Sequence, residues 1–327
     1  MLTSFSAATI AWCRRHFGAL SVLALLGYGI FLALRSSPEA GGADASGYIH
    51  SARLLTEGQL STVLRTVPEL RGASPYDFQP LGFSAEETSP RLVPTYPVGL
   101  PLHLAVVCSV VGWHWGPHVV NLGTAWAALL LTYALARTLG ATRLSALLAV
   151  MSLAWCRVFI SGVTQPLSDT LATVWCLLAI LAGLRARGGS LPWSAACGLA
   201  FAAAVYVRPS NVMLLPALAI LLGRPNKLLA AAFAGLPWAV LLGAYQKYLY
   251  GAATRSGYGP IFGIFEARYF WPTLWHFAQW ILRLLPFAWL AAPALFVLPW
   301  QRLRRELTVL VVWAGAFILF YAFYQVS

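Results

Sequence analysis

Charge is what this sequence has least of: 10% of its 327 residues are Asp, Glu, Lys or Arg, against about 25% in an ordinary soluble domain. With 59% hydrophobic residues and a mean hydropathy of +0.71, a water-soluble globular protein is excluded. Twenty-two basic residues against 10 acids leave a formal +12, which in a soluble chain would raise the question of nucleic acid. In so apolar a chain it reads instead as the basic bias of one set of membrane loops, and no nucleic-acid partner is expected. Cysteine is scarce and unpatterned. Cys13, Cys108, Cys156, Cys176 and Cys197 are odd in number, lie mostly inside apolar runs and show no CxxC or Cys/His spacing, so they read as small core hydrophobes and not as metal ligands. Also missing are a Walker loop, GxSxG, HExxH, a strand-to-helix GxGxxG and any 20-to-50-residue repeat. No A-x-A-like cleavage site directly follows the first apolar run, so that run is read as a retained helix.

What is present is a series of apolar blocks of about 15 to 22 residues separated by short Arg-, Gly- and Pro-bearing links, the pattern of an all-α polytopic membrane protein. The first run, 17–34, is about 27 Å long as a helix, and Arg14, Arg15 and His16 before it place the N-terminus in the cytoplasm. Further spans are expected near 119–136, 144–161, 169–184, 193–207, 211–223, 228–249, 277–299 and 307–324, about nine in all. This ladder puts Arg137/Arg143, Arg185/Arg187, Arg224/Lys227 and Arg302/Arg304/Arg305 on the cytoplasmic side together, as the charge bias requires. Residues 36–118 then form a large first extracytoplasmic loop, which holds seven of the ten acids. Within it, the apolar 96–113 segment is read as a juxtamembrane or partly inserted helix, because a crossing there would turn the Arg-bearing links at 137–143 and 185–187 to the outside. The whole of 1–327 is read as one membrane domain.

Ionisable groups at membrane depth cost about 2.5–3.5 kcal/mol each on insertion scales, so those at the outer ends of spans are candidate functional residues. Asp169, in QPLSDTLATVW, is the sole acid between Glu87 and Glu266 and suits a ligand, a base or a charge offsetting a helix dipole. Asp44, in GGADASGYIHSARLL, suits a catalytic group near the membrane surface or a helix N-cap. Arg157, Arg208 and Arg283 fall toward outer ends, where the charge rule does not place them. Guanidinium is a usual partner of phosphate, and at such a site the phosphate would belong to a lipid; the plain alternative is snorkelling to headgroups. Arg208 precedes Pro209 and so sits at a helix break. His114 and His118 have a metal-like interval interrupted by Gly-Pro, and read as interfacial. The tryptophans, Trp113 to Trp300, read as an aromatic belt. Tyr96-Pro97 and the 251–259 stretch GAATRSGYG are outer-loop turns whose side chains could face a sugar.

Taken in order, ADASGYIHSARLLTEGQ, TYPVGLP, PLSDTLATVWCLLAIL and GLAFAAAVYVRPSNVMLLP resemble the GT-C superfamily of membrane glycosyltransferases. The likeness is to the family of protein O-mannosyltransferases and the lipid A aminoarabinose transferase, and YGAATRSGYG is similar to a later loop of bacterial members. The resemblance implies a GT-C-type bundle whose members transfer a sugar, with inversion, from a polyprenyl-phosphate donor to a lipid, glycan or protein acceptor outside the cytoplasmic membrane. Asp44 then matches the first-loop catalytic aspartate, proposed as base or metal ligand, and Asp169 the second acid. Arg208 is the chosen cation for the leaving phosphate, with Arg157 and Arg283 beside it, and Tyr48, Tyr96, Arg255 and Tyr258 are candidate substrate-loop residues. Some branches need a divalent metal, and no metal cluster stands out here. Val98 replaces the second proline of the family's Tyr-Pro-Pro-Gly, and the chain ends where family members usually continue, so it reads as short at its C-terminus. The readings to compare with a transferase are a non-catalytic flippase for lipid-linked saccharides, which would show midplane charges and inverted repeats, and a truncated pseudo-enzyme subunit.

Overall fold

A computed structural model of the chain describes residues 7–37, 41–65, 69, 75–86, 89–260, 265–284 and 300–324. Its apolar runs are helices, the arrangement that lets a backbone satisfy its own hydrogen bonds where no water is at hand. Five helical stretches are long and apolar enough to cross a membrane. They lie in α1 (Ala7–Arg35), α4 (Gly116–Thr138), α7 (Ser168–Arg185, prolonged by a 3-10 turn to Gly188), α10 (Pro225–Tyr250) and α12 (Trp300–Ala322). α5 (Arg143–Ala154) and α6 (Arg157–Thr164) make a sixth if the bent pair is one crossing. Among the described residues there are three shorter apolar helical runs: α3 (Gly99–Val111), α8 (Leu191–Val207) and a 3-10 turn over Pro209–Leu214 that leads into α9 (Leu215–Leu222).

Three expected spans take a different form. The 144–161 run is not one helix: α5 stops before Trp155, Cys156 is extended, and α6 leaves at 61°. The 211–223 run opens as a 3-10 turn because Arg208, restricted by the proline after it, is extended at φ −144° and ψ 113°. Over 277–299 the helix begins early, as α11 (Phe270–Leu284), with Trp271, Trp275 and Trp280 exposed; 285–299 lies outside the described residues.

Contacts between distant segments tie each end of the bundle. At one end Arg187 pairs with Glu306, Lys227 donates to the Arg187 carbonyl at 3.2 Å, and Arg305 caps the last carbonyls of α9. At the other, the Ser37 amide donates to the Thr164 carbonyl at 2.8 Å, the Tyr250 hydroxyl to that of Pro94 at 2.8 Å, and Tyr321 to Ser210 at 2.9 Å. His118 Nδ1 meets Ser36 Oγ there at 3.0 Å, so segment 36–118 leaves and rejoins the bundle at the same end. Where α7, α8 and α9 meet, the core is rich in alanine, including Ala179, Ala182, Ala200, Ala204 and Ala217, whose small side chains let helices approach closely.

The 36–118 segment carries α2 (Ala43–Thr56), a three-stranded antiparallel sheet ordered β1 (Thr62–Val63), β3 (Ser89–Pro94), β2 (Phe83–Glu86), and α3 (Gly99–Val111). α3 has 13 residues, about 20 Å, shorter than the roughly 30 Å of hydrocarbon. It packs with α2, α4, α7 and α8 through Leu100 and Leu104, against Tyr48, Ala52, Val120, Leu171 and Val207. At Gly99 the two backbones touch: a Cβ there would lie 2.4 Å from the Val207 amide nitrogen.

Candidate active site

The site is assembled where α2, the turn after β3, the start of α7 and the end of α8 converge. α2 begins at Gly42, whose backbone and not a side chain forms the cap, so Asp44 is not an N-cap. Its carboxylate is in the first turn, exposed, where a helix N-terminus favours negative charge. One turn on, Tyr48 points inward and donates to Ser168 Oγ at 3.0 Å. Tyr96 covers Tyr48 with ring centroids 5.1 Å apart, and can do so because α2 has Gly47 beneath it, where a Cβ would lie 2.5 Å from the Tyr96 ring. Tyr258, at the tip of the hairpin formed by β4 (Arg255–Ser256) and β5 (Gly259–Pro260), meets Tyr96 edge-on at 6.0 Å. Burial, first, raises the Tyr96 hydroxyl above its ordinary value, followed by its hydrogen bond to Asp44. Burial likewise raises Tyr48 and Tyr258. All three are therefore protonated at neutral pH and act as donors, not bases.

The second acid is engaged. Arg208 Nη1 lies 2.9 Å from Asp169 Oδ1, Nη2 donates to Oδ2 at 3.3 Å, and Nε donates to Ser168 Oγ at 3.0 Å. Both side chains are more than a third exposed, so the pair adds little stability, about 1 kcal/mol or less. Its effect is positional: of five guanidinium N–H groups three are used, and the guanidinium so held lines a cleft. That cleft, of ≈ 600 Å³, has Asp169, Arg208, Ser210, Asn211 and Tyr321 at its polar end and Val158, Ala172, Cys176, Trp313 and Phe317 deeper in. A separate groove of ≈ 510 Å³ between α8, α9 and α10 is lined mainly by apolar residues and carries no charged side chain.

Of the residues singled out in the sequence, Asp44, Tyr48, Tyr96, Tyr258, Asp169 and Arg208 come together. Three do not. Arg157 is exposed at the first residue of α6, beside the cleft-lining Val158. Arg283 stacks over Trp280 on α11 at 5.7 Å, because the early start of that helix carries it away. Arg255 is exposed on β4. Two residues are new: Ser168, buried and accepting from both Tyr48 and Arg208, and Tyr321, which reaches the cleft from α12. No spacing signals either, since each acts through a partner more than 100 positions away in the chain. Among the described residues no three His, Cys, Asp or Glu side chains converge as metal ligands. The donors around Asp44 are tyrosines kept protonated, and Asp169 is paired with Arg208.

No protein-family model matches the sequence, and no curated protein does. Among solved structures the chain is similar to the crystal structure of ArnT from Cupriavidus metallidurans bound to undecaprenyl phosphate, with a TM-score of 0.62 and 13% identity. The match covers 94% of this chain and 56% of that one, so the chain spans little more than half the length of that structure. At this identity the likeness is one of fold, and it agrees with the all-α polytopic membrane bundle expected from the sequence.

Proposed function

We propose that this chain is a glycosyltransferase that moves a sugar from a polyprenyl-phosphate donor to an acceptor hydroxyl, with inversion, at the extracytoplasmic face of a cytoplasmic membrane. One observation carries the reading: two carboxylates of the same cluster have unlike surroundings, Asp169 paired with Arg208 and Asp44 exposed with a tyrosine donor. The cleft fits an amphiphile, with the Arg208 fork at its polar end and apolar walls below. The likeness to a structure that holds undecaprenyl phosphate agrees with that donor class.

In this mechanism Asp44 takes the proton of the acceptor hydroxyl as its oxygen bonds to the anomeric carbon. The bond from that carbon to the phosphate oxygen breaks, its electron pair goes to the phosphate, and the free N–H groups of Arg208 stabilise the charge that develops. Tyr258 donates toward sugar oxygens, Tyr96 donates to Asp44, and Asp169 and Ser168 hold Arg208 in place. The acceptor is a lipid, glycan or protein.

The test is incubation of the purified chain in vesicles with a panel of radiolabelled polyprenyl-phosphate sugars. Release of polyprenyl phosphate together with label on an acceptor supports the reading. Movement of intact donor between leaflets without bond cleavage would replace it with a flippase.

A further inference from the structure

At the end of the bundle away from the cleft, four cations crowd one acid. Arg187 follows α7, Arg224 and Lys227 open α10, and Arg305 lies near the start of α12. Glu306, the acid, is committed to Arg187. Lys227 is buried, at 3% exposure, and the charges of Arg187, Arg224 and Arg305 all reach it. Its ammonium donates one hydrogen bond, to the Arg187 carbonyl at 3.2 Å, out of three available. Arg187 Nε and Nη2 are buried without a hydrogen-bond partner. Arg305 is fixed on the carbonyls of Ile220 and Leu221 at 2.9 and 3.0 Å. The N-terminus of the 26-residue α10 adds its own partial positive charge. Cations brought this close repel one another unless an anion sits among them.

The surroundings identify the anion. The cluster lies where apolar helices end, the level of bilayer headgroups, and Arg185 stacks on the exposed Trp193 at 4.7 Å nearby. Just beyond it α10 turns Leu229 and Phe233 outward, 60% and 79% exposed, a surface for acyl chains. We propose that Arg187, Arg224 and Lys227 bind the phosphate of one anionic phospholipid, whose chains lie along α10. The proposal does not depend on the transferase reading.

The test is native mass spectrometry of the detergent-purified chain titrated with phosphatidylglycerol, phosphatidylcholine or glycerol phosphate. The result expected is one phosphatidylglycerol retained in preference to phosphatidylcholine, not displaced by glycerol phosphate. Arg224→Gln, an exposed position, weakens retention about fivefold, the effect of one cation near a lipid phosphate, and Lys227→Gln weakens it at least as much. Arg137→Gln removes the same charge at the same end and leaves retention unchanged. Equal weakening by Arg137→Gln would make the effect diffuse and overturn the site, as would equal retention of the two lipids. Displacement by glycerol phosphate would overturn the lipid as its source. Should Lys227→Gln fail to fold, Arg224→Gln decides alone.

Discussion

Asp44 and Asp169 each sit in the first turn of a helix, where the dipole favours a carboxylate, yet their surroundings give them different capacities. Asp169 is held in an ion pair by the guanidinium fork, whereas Asp44 is exposed. Ser168 links the two halves, accepting from Tyr48 of α2 and Arg208 of the α8 end. Ser168→Ala strands the buried Tyr48 hydroxyl and should destabilise the chain by about 1–3 kcal/mol, read as a lower thermal unfolding midpoint in detergent. Arg208→Lys keeps the charge and loses the fork; polyprenyl-phosphate affinity should fall about tenfold, the worth of one charge-assisted hydrogen bond, measured by titration with undecaprenyl phosphate. The tyrosines set a pH dependence. Burial holds Tyr48, Tyr96 and Tyr258 above the ordinary 10.0, so the unfolded chain ionises first; their contribution is whole below about pH 10 and is lost as pH rises beyond it. Unfolding midpoints followed from neutral pH upward should be flat and then fall, and Tyr258→Phe should soften the fall.

At the scale of elements, the first loop is held to the bundle by one close approach. Gly99 lets α3 touch α8 backbone to backbone, and α8 ends on Arg208, so the seating of α3 and the position of the guanidinium are coupled. Gly99→Val should push the helices apart at about 1–3 kcal/mol, seen as a lower unfolding midpoint and faster proteolysis within 36–118. The elements were legible where hydropathy and breakers agree: α1, α4, α7 and α10 fall close to their expected runs, and Pro209 after Arg208 marked a real break. The bend at Trp155–Cys156 was not legible, since no proline or glycine marks it. Nor was the early start of α11, where aromatic residues read as belt and as span alike. Site residues followed the same division. Asp44, Asp169 and Arg208 stand out as rare charges in an apolar chain, while Ser168 and Tyr321 are ordinary residues for their segments and gain a role only from partners far along the sequence.

The whole molecule is a bundle with two unlike ends. One end gathers cations around a single acid, Glu306; the other carries the 36–118 segment, the tyrosines and the cleft. α7 and α12 run between them, each with a residue at both ends: Asp169 and Arg185 on α7, Tyr321 and Arg305 on α12. This polarity suits the membrane-anchored donor proposed above, with apolar residues lining the cleft and Arg208 at its polar end. The central claim is that Asp44 is the base and Asp169 the residue that positions Arg208. The most direct measurement compares Asp44→Asn and Asp169→Asn with the unaltered chain in single-turnover transfer of radiolabelled sugar from polyprenyl phosphate in vesicles, with donor affinity measured alongside. The account predicts that Asp44→Asn slows transfer by about 10²–10⁴ with donor affinity unchanged, while Asp169→Asn chiefly weakens donor affinity. Transfer at the unaltered rate in Asp44→Asn would contradict it.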